Sequence, residues 1–405
     1  MRNLAMRLLP HLVLPALAAA PCLATVPARA GTLTDLHSFY ADANCADGSV
    51  PTSGVVEPGG GFLLGTAQKG GAYGYGSIYV QGAQGSHDTL YSFCPAAGCA
   101  DGAYPFGGLT PGPNGTFYGM TYSGGANAGG TVFEITASGT LTTLYSFCAQ
   151  DGCADGKFPT GKLARAQDGS FYGTTPQGGA NGYGTAFRIT PAGAFTTLYS
   201  FCAASVCSDG GSPNGVILTG DGNLYGTTVN GGDNDAGTVF RLTPAGAETA
   251  LYSFCGASAC SDGAIPYAGL AQHGKALVGT TRDGGANGAG TAFRITPSQA
   301  DLTTLYSFCA QTSCADGSSP EAGLVSAAGK LYGTTFAGGA AGYGTVFSLS
   351  RTQTLTTIYD FCSQANCTDG ALPISGLAPS WDGTFYGTTP AGGANGVGVL
   401  FKVAP

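Results

Sequence analysis

The chain repeats itself at a nearly fixed period, and that limits its folds more than any other feature. Leu-Tyr-Ser-Phe-Cys stands at 90–94, 144–148, 198–202, 251–255 and 305–309, with variants at 36–40 and 358–362. The Phe of each copy is Phe39, Phe93, Phe147, Phe201, Phe254, Phe308 and Phe361, so successive copies lie 53 or 54 residues apart. A period this regular means that each copy is one structural unit making the same contacts with its neighbours.

One unit shows how the chain is built. Residues 141–147 are rich in Thr, Leu, Tyr and Phe, which suits a strand. Residues 148–161 form a loop with two Cys, Asp155-Gly156 and Pro159. A short strand at 162–167 ends in the Asp168-Gly169 turn, and a second runs from 170 to 175. A Gly-rich loop follows, and then 185–190 alternates Phe187 and Ile189 with Ala186 and Arg188. Four short antiparallel strands per unit is the size of a propeller blade.

The chain ends fit a closed ring. The strand at 32–39 is of the outer type, and the last repeat supplies only inner, second and third strands. One strand from one end and three from the other complete a blade and bury the edges that a linear array exposes. A solenoid needs polar capping repeats, and none is visible. The sequence therefore predicts an all-β, seven-bladed β-propeller spanning 31–405, four antiparallel strands per blade, closed by its N-terminal strand. Strand alternation places the Cys loops and Gly-rich loops on one face and the Asp-Gly and Pro-Ala-Gly turns on the other.

Three phrases recur in fixed order: Asp-Gly-x-Leu/Phe-Tyr-Gly-Thr-Thr, Gly-Gly-Ala-Asn-Gly-x-Gly-Thr-Val-Phe, and Thr-Thr-Leu-Tyr-Ser-Phe. The first two run together at 168–187, 221–240, 330–347 and 382–401, with looser copies at 61–79, 114–133 and 274–293. This combination resembles the GloVer tandem-repeat family, exported bacterial proteins known as choice-of-anchor tandem repeat proteins. The resemblance covers essentially all of 31–405. It implies a secreted or surface-linked protein and carries over no catalytic residues. No anchoring tail is expected after the strand-like run that ends the chain.

Residues 1–30 read as a signal peptide. Arg2 and Arg7 precede a mostly apolar stretch, and Ala28-Arg29-Ala30 has the small-x-small pattern of a cleavage site. Its loss removes three Arg and no acid, taking the net charge from −8 to −11. That balance excludes nucleic acid as a partner, because phosphate binding needs a basic face. No later segment has 18 unbroken apolar residues, so no membrane span is expected after signal removal. The expected location is secreted, periplasmic or extracellular, and the expected state a monomer. The partner would be an extracellular protein or a glycan.

Twelve of the fourteen Cys form six Cys-x4-Cys pairs. Cys94 pairs with Cys99, Cys148 with Cys153, and Cys202 with Cys207. Cys255 pairs with Cys260, Cys309 with Cys314, and Cys362 with Cys367. Cys22 lies in the signal peptide. Cys45 lacks a partner because Tyr40 takes the first Cys position. Zinc sites usually gather two Cys pairs or added His, and only His37, His87 and His273 follow the signal peptide. Local disulfides in an oxidising compartment are the reading the pattern favours over metal binding.

Recurring polar residues carry a functional and a plainer reading. Asp47, Asp101, Asp155, Asp209, Asp262, Asp316 and Asp369 form a ring able to hold cations, or, the favoured reading, each caps its own loop. Tyr118, Tyr172, Tyr225, Tyr332 and Tyr386 offer sugar-stacking platforms, or pack between blades, which one Tyr per blade favours. Trp381 is expected to cover an apolar edge. The fourth Gly-rich loop departs from its siblings: it reads Gly231-Gly232-Asp233-Asn234-Asp235. Asp233 and Asp235 are candidate ligands for Ca2+, with Asn234 beside them and Asp209 from the same face as a further binding residue. A solvated acidic turn is the plainer and weightier reading. No motif for a metalloprotease, an α/β-hydrolase or a P-loop is present. Two functions follow: a non-enzymatic binding or surface-interaction scaffold, and, second, an extracellular polysaccharide hydrolase or lyase using carboxylates on the loop face.

Overall fold

Each repeat folds into one twisted antiparallel sheet, and seven sheets stand in a ring. A computed structural model gives the structure of residues 31–405; the expected signal peptide and Cys22 lie outside the described residues. The third blade illustrates the order: Ala164–Arg165 innermost, then Phe171–Thr175, Thr185–Ile189 and Phe195–Ser200. The two middle strands are buried on both faces, because each blade lies between two others. The innermost strand is shorter than the expected 162–167. Near the axis the neighbouring backbones crowd together: a Cβ on Gly161 would stand 2.8 Å from the Cα of Gly215 in the next blade. Residues 162 and 163 lie outside the ladder, which pairs only Ala164 with Tyr172 and Arg165 with Phe171.

The core is seven clusters, each shared by two adjacent blades. One joins Tyr118, Met120, Val132 and Phe147 of the second blade to Leu163, Phe171, Phe187 and Ile189 of the third. The Phe of every Tyr-Ser-Phe phrase is fully buried. Phe147 meets Phe187 edge to face, with ring centroids 5.3 Å apart at 65°. The pairing recurs at Phe93–Phe133, Phe201–Phe240, Phe254–Phe293, Phe308–Phe347 and Phe361–Phe401. Burying one such ring contributes roughly 1.5–3 kcal/mol, and the edge-to-face contact about 1 kcal/mol more. Gly173 lies beneath the Phe187 ring: a Cβ there would sit 2.5 Å from Cζ, which is why the second strand reads Tyr-Gly-Thr.

A second ring of contacts ties the long loops together. The residue before each inner-strand Pro takes a left-handed backbone: Val50, Tyr104, Phe158, Ser212, Ile265, Ser319 and Leu372 have φ between 51° and 60°. That costs about 1 kcal/mol or more per residue. In return each N–H reaches a carbonyl in the preceding blade's Gly-rich loop. Phe158 N donates to Gly129 O at 2.7 Å and Ile265 N to Ala236 O at 2.8 Å. The geometry fixes how each Cys loop seats on its neighbour.

Closure follows the sequence expectation. Thr32–Ser38 pairs antiparallel with Val399–Ala404, Thr32 opposite Ala404 and Ser38 opposite Val399. Phe39 and Leu400 then pack with Val55, Leu63 and Tyr79 of the first blade. Val50 N donates to Val397 O at 2.8 Å, completing the loop ring across the chain ends.

All six expected Cys pairs are disulfides. Cys94 is bonded to Cys99, Cys148 to Cys153, and Cys202 to Cys207. Cys255 is bonded to Cys260, Cys309 to Cys314, and Cys362 to Cys367. Both Cys of each pair take left-handed backbone, with φ between 47° and 64°. These bends bring the two ends of each loop together, and the disulfide holds them there. By the chain-entropy estimate each bond contributes roughly 2 kcal/mol. Cys45 is a free thiol.

Candidate functional site at the channel mouth

Most residues shared by every repeat are engaged in local structure. Asp155 accepts from the Tyr145 hydroxyl at 2.8 Å, Ala149 N at 2.9 Å and Gln150 N at 3.2 Å. Asp209 is held the same way by Tyr199, Ala203 and Ala204. Asp262, Asp316 and Asp369 repeat the arrangement. Asp101 takes Tyr91 and Cys94 N. Asp47 takes His37 and Ala41 N. The ring of acids therefore caps loops. Tyr118, Tyr172, Tyr225 and Tyr332 are buried between blades, and Tyr386 packs half-buried at the closing interface. Trp381 covers nothing: it is 89% exposed.

The fourth Gly-rich loop is explained the same way. Asn234 Nδ2 donates to Phe254 O at 3.1 Å, as Asn181 does to Phe201 O and Asn287 to Phe308 O. Asp235 has φ 53° and occupies a slot that Gly182 and Gly288 fill elsewhere with positive φ. Its Oδ1 accepts from Gly231 N at 3.0 Å, so the acid caps the turn that a glycine otherwise makes. Asp233, Asn234 and Asp235 are exposed. Asp209 is not available to them, because it is buried and both its oxygens are already bonded inside its own loop. Among the described residues no group of three or more His, Cys, Asp or Glu could hold a metal ion.

What distinguishes the long-loop face is its blade-specific side chains. After each inner-strand Pro the chain turns toward the axis, and the next residue differs in every blade but two: Thr52, Phe106, Thr160, Asn214, Tyr267, Glu321 and Ile374. Tyr267 and Glu321 come from adjacent blades, and Arg282 joins them from the end of the fifth blade's second strand. The Arg282 guanidinium lies 5.9 Å from the Tyr267 ring centroid and bonds Asp283 at 3.2 Å. Burial pushes the Glu321 carboxyl up; Arg282 opposes the rise and Asp283 adds to it. Burial likewise pushes the Tyr267 hydroxyl up, with Glu321 adding to the rise. Tyr122, from the second blade, adds to the same rise. Tyr122 stacks on Phe158 at 5.0 Å, and the Lys157 ammonium stands 5.4 Å from the same ring.

The long-loop face also carries exposed tyrosines. Tyr40, Tyr73, Tyr75, Tyr183 and Tyr267 are the tyrosines most open to solvent, and all lie on long-loop segments. Sequence reasoning that turned to the fourth Gly-rich loop missed the mouth. The readable signal was the changing residue after an unchanging Pro.

Comparisons with known proteins agree with the repeat and the ring. The Gloeobacter/Verrucomicrobia repeat matches residues 19–167, 153–315 and 309–405. No curated protein matches in sequence. Among solved structures, oligogalacturonate lyase from Vibrio parahaemolyticus aligns with a TM-score of 0.55 at 10% identity, over 92% of this chain and 93% of that one. An oligogalacturonate lyase in complex with manganese aligns with a TM-score of 0.54 at 12% identity, over 93% of this chain and 97% of that one. At such identities the likeness is one of fold.

Proposed function

The chain belongs to the Gloeobacter/Verrucomicrobia repeat family, and from that premise we propose that it is an exported, non-enzymatic binding scaffold that takes a glycan or protein on its long-loop face. The observation that carries this reading is that the most exposed tyrosines all lie on long-loop segments, the face on which Tyr267, Arg282 and Glu321 come together where the fifth and sixth blades meet. Tyrosine gives large amphipathic contact area with little entropy to lose, and Gly- and Asn-rich loops supply adaptable backbone donors beside it. A rigid ring that presents such loops is a recognition surface. Six disulfides suit an oxidising compartment outside the cytoplasm.

The second reading, a polysaccharide hydrolase or lyase, draws support from one feature. Glu321 and Asp283 flank Arg282, and the Glu321 carboxyl is raised by burial beside a guanidinium able to neutralise an acidic sugar. The test is binding to arrayed cell-wall and plant-type glycans, with product analysis on each glycan bound. The scaffold reading expects retention without new chain ends and about tenfold weaker retention for Tyr267→Ala. Retention unchanged in Tyr267→Ala would remove the mouth from the account. Cleavage lost in Glu321→Gln would replace binding by catalysis.

A further inference from the structure

The opposite, short-turn face carries a groove of about 430 Å3 between the fourth and fifth blades. Its chemistry departs from the repeat in a specific way. The fourth residue of the third strand is a cation in four blades: Arg188, Arg241, Arg294 and Lys402. In the third and seventh blades it is tied to the acid of the Asp-Gly turn, Arg188 to Asp168 and Lys402 to Asp382, each at 2.8 Å. In the fourth blade the corresponding acid is engaged elsewhere. Asp221 accepts from the Thr219 hydroxyl, Asn223 N, Asn223 Nδ2 and the Tyr225 hydroxyl. Arg241 is left with a 3.3 Å bond to the Thr249 hydroxyl and no acid, while its buried Nε, like that of Arg188, has no acceptor among the described residues. Across the groove the fifth blade has no turn acid at all: its turn is Gly274-Lys275, which brings an exposed second cation to the same groove.

We propose that this groove binds one carboxylate-bearing sugar unit, a uronic acid. Arg241 and Lys275 take the carboxylate, the guanidinium through its planar fork and the ammonium as a point charge. Gln272 and Ser298 face the ring hydroxyls, and Pro297 gives the sugar's C–H face an apolar contact. The groove also holds the Asp221 carboxylate, but its oxygens are taken by local donors, so two cations face one engaged acid and select an anion locally rather than by a general field. The site is separate from the channel mouth and does not depend on it.

Ligand-observed NMR titration of the oxidised protein with D-galacturonate, D-galactose and acetate tests this. Galacturonate binds, and galactose and acetate bind about tenfold more weakly or less. Arg241→Gln and Lys275→Gln each weaken galacturonate about tenfold, the exposed Lys275 variant serving as a check that fold loss is not the cause. Arg188→Gln and Tyr267→Ala leave it unchanged. Galactose or acetate binding as well as galacturonate would overturn the proposal. So would a Lys275→Gln variant that binds like the wild type. Loss of binding in Tyr267→Ala would assign the sugar to the mouth and equally overturn the groove.

Discussion

The slot six residues before the buried Phe of each repeat packs on the aromatic ring of the preceding blade's outer strand. Phe195 stacks on Tyr145 at 3.9 Å, and Leu141, Leu302 and Leu355 fill the same slot in other blades. Two blades break the rule with titratable groups. His87 stacks on His37 at 3.6 Å, and Glu248 comes to lie near Asp209. Burial, then Asp209, raises the Glu248 carboxyl from its ordinary 4.5 to about 8. A carboxyl with a raised folded value favours folding while protonated, so its contribution is whole below about 4.5 and is lost as pH rises through about 8. Burial, then His37, lowers His87 from 6.5 to about 4, against opposing pulls from Asp47 and Asp88. The neutral ring's contribution is whole above 6.5 and is lost as pH falls through about 4. Thermal melts from pH 4 to 8.5 should therefore show opposite trends. Glu248→Leu gains stability that grows toward pH 8, on the order of 1 kcal/mol after solvent screening, whereas His87→Leu gains on the acid side. Gains independent of pH would contradict this account. Tyr79 is a third break. It stands where six blades have Phe, and its hydroxyl is fully buried with no hydrogen-bond partner among the described residues. Tyr79→Phe should stabilise the fold by about 1–2 kcal/mol in denaturant titration; a loss would mean that the hydroxyl has a partner. These substitutions were visible in the sequence as irregularities. Their burial was not, because it depends on which residue of the adjacent blade they meet.

At the scale of strands and loops, most of the architecture was legible from the order of elements. The division of one strand from one chain end and three from the other specified the closing pair that Thr32–Ser38 makes with Val399–Ala404. Deleting residues 32–38 exposes the Val399–Ala404 edge and uncovers Val403 and Leu400. The truncated protein should melt well below the full one and lose solubility; equal melting would dismiss the closing role. The cysteine pairing was legible too, because each Cys99-type residue has a single near partner in its own repeat. Thiol labelling of the denatured, unreduced protein should modify Cys45 alone among the described cysteines, and labelling of several would reject the local disulfides. The inner strand was overestimated because the chain there is governed by neighbouring backbones, as at Gly161 against Gly215, and local pattern does not report such contact. The left-handed residues before the prolines were equally hidden. Val50 and Ile265 are ordinary strand residues by propensity, and only the hydrogen bond to the preceding blade explains their φ.

For the whole molecule, seven near-identical units divide the surface into shared slots that build the ring and unshared ones free to recognise something. The sequence singled out an unshared loop at Asp233, Asn234 and Asp235, which the structure shows making its turn by local bonds. Tyr267, Arg282 and Glu321 come from the fifth and sixth blades and act on one another only because the ring sets those blades side by side. The most direct test of this account is a crystal structure after soaking with the glycan that arrays identify. Intact sugar density against Tyr267 and Tyr122 on the long-loop face is the predicted result. Density confined to the outer rim of the ring, or a cleaved product at Glu321, would contradict it.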